Sequence, residues 1–458
     1  MKKPLPLVLS ALCAATLTVT GCKTNAPADY VHLNLSAYTL LGDPSTLTVT
    51  VDASGPYEVL PGASWLEITN ETEDGFTLSA PENPDKGIRS TTVTVNSGTA
   101  SARLLVDQLM KDNAYRYRRL SVHGAAISPG GRYIATNTDE IREGVEGSLL
   151  QLIDMRTGET ATTYVPAYVS ALSAVTDDGL VFGCIGSITA YMFDIRTGDY
   201  SIVPTPENTG TPMVDNVSAD GTKWAGTCVR GMTYAPVLWS DGIPAFLPLP
   251  ETDYRGGDIT DRILARGISD DGQVVYGNTW VGFDMGMLYW KDGKVDWVGK
   301  DLRQLTTISN VDGTEQTLVN GMTCTAEPHN ISETGKYISG TYKQEFNPET
   351  GQPEEMSCPA FYNTETETTI LFEEFSGAGG YACRDDGLAV ILPGSRLVNI
   401  ETQEVYGTHQ EYVLEHFGLI LPAGNVEFIT GEHHDIFFGM EPGILLPWWW
   451  YFAPKPEA

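Results

Sequence analysis

Positive charge is scarce in this 458-residue chain: 28 lysines and arginines stand against 59 acids, a net charge of −31. Such a surface repels phosphate backbones, so the partners expected here do not include nucleic acid. Cysteine is scarce too. Of seven, Cys13 and Cys22 fall near the amino terminus, leaving Cys184, Cys228, Cys324, Cys358 and Cys383. Five is an odd number, and no pair sits at CxxC or zinc-finger spacing, so neither a disulfide framework nor a metal site is supported. The motifs GxSxG, HExxH, GxGxxG and the phosphate-binding P-loop are all absent, which removes the usual serine hydrolase, zincin and nucleotide readings and leaves no cofactor to expect. Helical periodicity is confined to short stretches at Glu411–Phe417 and Asp301–Thr306.

What the chain has instead is a phrase that recurs. Its clearest copies are NVSADGTKWAGT from Asn216, GISDDGQVVYGNT from Gly267 and NISETGKYISGTY from Asn330. Looser copies begin at Ala125, Ser173, Tyr381 and Glu427, which makes seven. Each reads as a strand, a tight turn built on Ser, Asp and Gly, and a second strand closing on Gly. A second hairpin follows in six of the seven, as in LIDMRTGETATT from Leu152 and LYWKDGKVDWVG from Leu288. Thr-Gly and Asp-Gly turns between alternating apolar residues are strong hairpin signals. Two hairpins give four strands, one blade of a propeller, and residues 113–458 divide into units of roughly 49 residues.

The last unit has one strand too few, Gly443 to Phe452, whereas Tyr115 to Val122 is a strand without a hairpin partner. Pairing these two would seal the ring with strands from both ends of the domain and leave no raw inner edge. The expected fold is therefore all-β: an N-terminal immunoglobulin-like β-sandwich over residues 30–110, then a seven-bladed β-propeller over 113–458. The sandwich follows from short alternating strands such as Thr46–Val51 and Thr91–Val95, spaced about ten residues apart.

Three resemblances add to this. Lys2 and Lys3, the apolar stretch Leu5–Val19 and the sequence Val19-Thr20-Gly21-Cys22 resemble a bacterial lipoprotein leader with its lipobox. That resemblance implies a signal peptide over residues 1–21, an acylated Cys22 and a lipidated tether over 22–29. It implies a protein of the cell envelope held on a membrane, with the outer membrane as the expectation and its face unassigned. Ser64-Trp65-Leu66, Glu82-Asn83-Pro84 running into Gly87-Ile88-Arg89, and Val106-Asp107-Gln108 resemble the BACON domain of Bacteroidota, whose proposed role is carbohydrate binding or spacing. Trp65 is read as core before sugar platform. The repeat phrase, with its Leu-Trp or Tyr-Trp second hairpin, resembles propeller repeats of the HAF type.

Candidate ligand contacts are aromatic, because sugars stack on flat rings. Trp239 and Trp290 share one repeat position, so blade packing accounts for them. Trp280 stands in a stretch that is not repeated, TWVGFDMGM, and Trp448-Trp449-Trp450 on a strand must point to alternate faces. These four are the candidate ligand-binding residues; no catalytic or metal-ligating residue is assigned. His433-His434 occupies a turn position, and the Asp270-Asp271 and Asp385-Asp386 pairs lack the spaced oxygens of a calcium loop. The leading functional expectation is a non-enzymatic, membrane-anchored lipoprotein whose propeller binds a glycan or an envelope protein. A glycan-active hydrolase or lyase, and a structural or assembly subunit, are the alternatives.

Overall fold

The computed structural model describes residues 29–454 apart from residues 36, 86, 112–114, 121–123, 143, 187–188, 260–261, 281–285, 325–329, 422, 431–435 and 442–447. The expected leader, Cys22 and the His433-His434 pair therefore lie outside the described residues.

The first unit is a two-sheet sandwich. One sheet orders Val31–Leu33, Ser45–Ala53, Gly75–Ala80 and Glu67–Thr69; the other orders Ala37–Leu40, Ala100–Gln108, Arg89–Ser97 and Glu58–Pro61. The opening segment changes sheets. Val31–Leu33 pairs antiparallel with Ser45–Ala53, and Ala37–Leu40 pairs parallel with Ala100–Gln108. Alternation along the long strands sends Val49, Val51, Phe76, Leu78, Val93, Val95, Leu104 and Val106 into one shared core. Trp65 packs against that core from its rim, half-buried, with the Arg89 guanidinium 4.5 Å from its ring centre.

Seven further sheets follow among the described residues. Blade 1 is Gly124–Ile127, Tyr133–Arg142, Val145–Asp154 and Thr160–Val165. Blade 2 is Val169–Val175, Val181–Ile185, Thr189–Asp194 and Asp199–Ile202. Blade 3 is Gly210–Val217, Lys223–Arg230, Thr233–Ser240 and Ile243–Phe246, and blade 4 is Arg262–Ile268, Val274–Trp280, Met287–Lys291 and Lys294–Trp297. Blade 5 has five strands: Gln304–Ser309, Glu315–Thr323, Tyr337–Phe346, Pro353–Asn363 and Thr368–Leu371. Blade 6 is Gly379–Cys383, Leu388–Leu392, Arg396–Asn399 and Val405–Thr408. Blade 7 is Asn425–Thr430, Ile436–Glu441 and Trp448–Pro454, completed by Tyr115–Leu120.

The cores show that these sheets form a ring. Each apolar cluster is shared by two consecutive blades, because the two faces of every strand feed different gaps. Leu150 and Leu152 of blade 1 meet Val175 and Phe193 of blade 2, and the series continues to blades 6 and 7. It closes where Phe438 and Tyr451 of blade 7 meet Ile134 and Ile153 of blade 1. Blade 7 is sealed as expected: Trp449 to Pro454 pairs antiparallel with Leu120 to Tyr115. The chain is an all-β protein with a β-propeller.

Two local expectations are corrected. Asp301–Thr306 is not helical; Gln304–Ser309 is a strand paired with Glu315–Asn320, favoured by its β-branched Thr306, Thr307 and Ile308. The one α-helix described is longer than expected, His409–Phe417. Thr408 and Glu411 form a capping box at its start, and Gly418 at φ 70° ends it.

Candidate functional site

The repeat phrase builds the same turn in blades 1 to 6. The glycine N–H donates to the carbonyl of the residue three before it: Gly131 to Ser128, Gly179 to Thr176, Gly221 to Ser218, Gly272 to Ser269, Gly335 to Ser332 and Gly387 to Arg384, at 2.8–3.1 Å. All six glycines have positive φ, where a side chain would strain the backbone. The serine hydroxyls accept from the backbone beyond the turn, as in Val274 N to Ser269 Oγ (3.0 Å) and Tyr337 N to Ser332 Oγ (2.9 Å). Turns of successive blades are stitched together. Ala219 N donates to Asp270 O (2.8 Å), Asp271 N to Glu333 O (3.3 Å), Asp385 N to Glu333 Oε2 (2.7 Å) and Gly130 N to Asp177 Oδ2 (3.0 Å).

This stitching crowds carboxylates at one end of the ring. The residue after the turn Ser or Thr is Asp177 in blade 2, Asp270 in blade 4 and Glu333 in blade 5; it is Asp385, after Arg384, in blade 6. Burial, then the charges of Glu333, Asp177 and Asp385, push the Asp270 carboxyl well above the usual carboxylate range. Burial raises Asp177 and Glu333 as well. Among the described residues no group of three or more His, Cys, Asp or Glu side chains is arranged to hold a metal ion.

A second layer lies three residues before the turn in blades 2, 3, 4, 6 and 7, on the innermost strand. There the ladder to the second strand slips: between Leu172 and Ala174, Val214 and Asn216, Ala265 and Gly267, Gly380 and Cys383, and Val426 and Phe428. The bulged residues are Ser173, Asp215, Arg266, Tyr381 with Ala382, and Glu427. A bulge leaves its residue outside the ladder and re-aims the side chain. Here it sends four of them toward the next inner strand. Arg266 Nη1 lies 3.7 Å from Asp215 Oδ2, and Tyr381 Oη donates to Glu427 Oε2 at 2.7 Å.

The closing glycine of the phrase is explained by the same bulge. A Cβ at Gly226 would lie 2.0 Å from Met213 O, at Gly277 2.0 Å from Leu264 O, at Gly439 2.5 Å from Asn425 O and at Gly183 2.6 Å from Ala171 O. The bulged strand presses its carbonyl onto the neighbouring Cα, and only glycine admits it. In blade 6 the arrangement is reversed, with Gly380 on the inner strand opposite Ile391.

Electrostatically this layer is mixed. Burial pushes the Asp215 carboxyl up to about 6, with the Arg266 charge opposing the rise. Arg266 Nε also donates to Asn278 Oδ1 (3.0 Å), and Ser173 Oγ is buried with no partner among the described residues. The layer places two carboxyls, a guanidinium and a phenol on inner strands, with Arg266 and Asp215 partly exposed and Tyr381 buried in the core shared by blades 6 and 7.

The sequence-based candidates fall elsewhere. Trp450 is 1% exposed, packed in the core shared by blades 6 and 7 and stacked on His409 at 5.6 Å, so it is corrected from ligand contact to core. Trp449 points to the opposite gap, half-buried against Phe438 at 5.0 Å. Trp448 and Trp280 are placed by backbone only: Trp448 opens its strand, and Trp280 ends a strand opposite Arg262 instead of sitting in a loop. Trp239 and Trp290 are buried, their indoles donating to Pro204 O and Pro248 O at 2.7 Å, as blade packing requires. The five cysteines are free thiols, four of them buried; burial pushes Cys228 and Cys358 up to about 11. Sequence reading missed the bulge layer, although aligning the copies on their turns sets Ser173, Asp215, Arg266, Tyr381 and Glu427 in one column.

No family model matches the sequence, and no curated protein matches it. Among solved structures the chain is similar in outline to an oligogalacturonate lyase from Vibrio parahaemolyticus, at 11% identity over 76% of this chain and 95% of that one, TM-score 0.39. It is also similar to the β-propeller domain of the Trilobed protease from Pyrococcus furiosus, at 8% identity over 72% and 94%, TM-score 0.39. A third is a Bacteroides thetaiotaomicron protein of unknown function, at 13% identity over 94% and 99%, TM-score 0.29.

Proposed function

We propose that this chain is a lipid-anchored binding protein of a bacterial envelope, held by an acylated Cys22, whose propeller takes its ligand at the central opening of the ring. The ligand is a glycan or a segment of an envelope protein. The observation that carries this reading is the bulge layer: Asp215 with Arg266 and Tyr381 with Glu427 place donors and acceptors in matched pairs on a rigid ring. Rigid placement of a few polar groups in a concave site is what gives a binding site its selectivity. The carboxylates at the turn end disfavour a polyanion and favour a neutral or cationic ligand. Trp280, at the other end of its strand from the turn, is kept as a stacking platform.

One observation favours the enzymatic alternative. A carboxyl held near 6 beside an arginine can pass a proton in either direction at neutral pH, so Asp215 is suited to general acid–base work on a glycan. Incubating the full-length protein with a glycan array, reading both retention and product release, separates the two. Retention without cleavage, lost in Arg266→Ala, supports binding. Cleavage lost in Asp215→Asn supports the enzyme, and no retention of any glycan or envelope protein overturns the reading.

A further inference from the structure

A second concave region lies away from the ring's opening, between the sandwich and blade 1, with a volume of about 920 Å³. Its walls are unusual in sequence. On one side stand three consecutive residues, His32, Leu33 and Asn34; on the other, five consecutive residues, Thr138 to Arg142. Side chains alternate along a strand, so a cavity that meets a strand's face touches every second residue. The lining also takes Leu149 and Gln151, alternate residues of Val145–Asp154, so the cleft runs over the face of blade 1 and reaches two strand edges beside it, those of Val31–Leu33 and Tyr133–Arg142.

Both edges are open among the described residues. Val31–Leu33 is the end strand of its sheet. Ser54 N donates to Tyr30 O and Asn34 N to Thr50 O, so the even-numbered residues bond to the neighbouring strand, and Val31 and Leu33 turn their N–H and C=O outward. Tyr133–Arg142 runs past the described part of the inner strand of blade 1, whose described pairing ends at Gly124 with Asn137. Ser128 N donates to Tyr133 O and Met155 N to Arg132 O, so the odd-numbered residues face the inner strand and the even-numbered ones face Val145–Asp154. Beyond Asn137, Asp139 and Ile141 therefore direct their backbone groups to the open side.

We propose that this cleft is a docking site for an extended segment of a partner protein carrying basic residues, which adds as a strand along the open edge at Asp139 and Ile141. Main-chain bonds to an open edge supply affinity for an extended peptide, and side chains at alternate positions supply selectivity. The exposed carboxylates are Asp139 and Asp52, the latter accepting the Tyr30 hydroxyl at 3.5 Å; the third, Glu140, is already bonded to Arg142 Nε at 2.5 Å. Beside them Ile141 and Val145 are 59% and 48% exposed, an aliphatic contact suited to an apolar side chain. A glycan fits less well, because the two rings in the lining are engaged. Tyr164 carries the Arg142 guanidinium at 4.8 Å and donates its hydroxyl to Val145 O, and His32 stacks on Tyr30 at 5.5 Å.

The probe is a labelled hexapeptide of alternating lysine and valine, titrated into the full-length protein by fluorescence anisotropy. Its glutamate–valine counterpart and cellohexaose as a competitor are the comparisons. Ile141→Pro removes one outward N–H and leaves the bonds to Val145–Asp154 in place. Asp139→Lys inverts the charge on an exposed side chain and keeps the test open should the proline variant fold poorly. Binding of the lysine peptide alone, weakened at least tenfold in Asp139→Lys with an unchanged melting temperature, is the expected result. No binding of the lysine peptide, equal binding in Asp139→Lys, or displacement by cellohexaose overturns the proposal. Slow hydrogen exchange at Ile141 in the peptide-free protein also overturns it, since the edge would then be covered by the chain itself.

Discussion

Asp107, on the last strand of the sandwich, and Arg119, on the strand that seals the ring, form an ion pair 3.0 Å long; the Asp107 side chain is 0% exposed and Arg119 10%. Ser90 Oγ bonds the other carboxylate oxygen. Around this pair Leu109 sits inside the core shared by blades 6 and 7, with Ile88 and Met110 packed against it. Gly87 and Ile420 add a backbone bridge between the two units. The sandwich is thus fastened to the closing strand instead of swinging on a free linker.

That fastening predicts the response to breaking the pair. Asp107→Ala removes the buried carboxylate from a guanidinium only 10% exposed and should cost about 3–5 kcal/mol. Calorimetry should show one unfolding transition in the parent protein. The variant should melt at lower temperature, with the ring and sandwich transitions drawn apart.

The glycines of the repeat make a sharper prediction about the bulges. Gly277→Ala puts a methyl 2.0 Å from Leu264 O, so the inner strand must shift; the expected loss is about 2–4 kcal/mol, with Arg266 displaced. Gly293→Ala, at φ 71° with nothing within 4 Å, should cost only about 1 kcal/mol. Urea denaturation of the two variants reads the difference directly.

Much of this architecture was legible in the sequence, and the reason is local. The Ser, Asp and Gly of each turn encode its hydrogen bonds, the missing strand of the seventh unit announced its partner at Tyr115, and Trp239 and Trp290 declared themselves by position. What was not legible depends on pairing between strands. A bulge is a property of register, so the column Ser173, Asp215, Arg266, Tyr381 and Glu427 has no residue type in common. Trp450 could not be told from Trp449 without knowing that both faces of a blade strand are covered by neighbouring blades. Thr306 to Ile308 went to a strand because Glu315–Asn320 was there to pair with them.

The core position of Trp450 has its own test. Trp450→Ala should cost about 3–5 kcal/mol. Trp450→Phe should cost far less, because the buried indole N–H has no acceptor among the described residues and its removal offsets part of the lost packing. Thermal melts of both variants give the comparison.

Asp215 predicts a pH dependence. Its carboxyl is raised in the fold from 3.8 to about 6, so the folded state holds its proton more tightly than the unfolded chain does. The stability this contributes is present below about pH 4 and is lost as pH rises through 6. Asp215→Asn should therefore match the parent near pH 4 and exceed it above pH 6, by at most about 3 kcal/mol. Denaturant midpoints measured from pH 4 to 8 show whether the two curves part in that window.

The most direct test of a ligand site at the bulge layer is a ratio of affinities. Whichever glycan or envelope protein the full-length protein retains, its Kd should rise at least tenfold in both Arg266→Ala and Glu427→Ala, with the melting temperature of each variant close to the parent's. Unchanged Kd values in two well-folded variants would contradict the account.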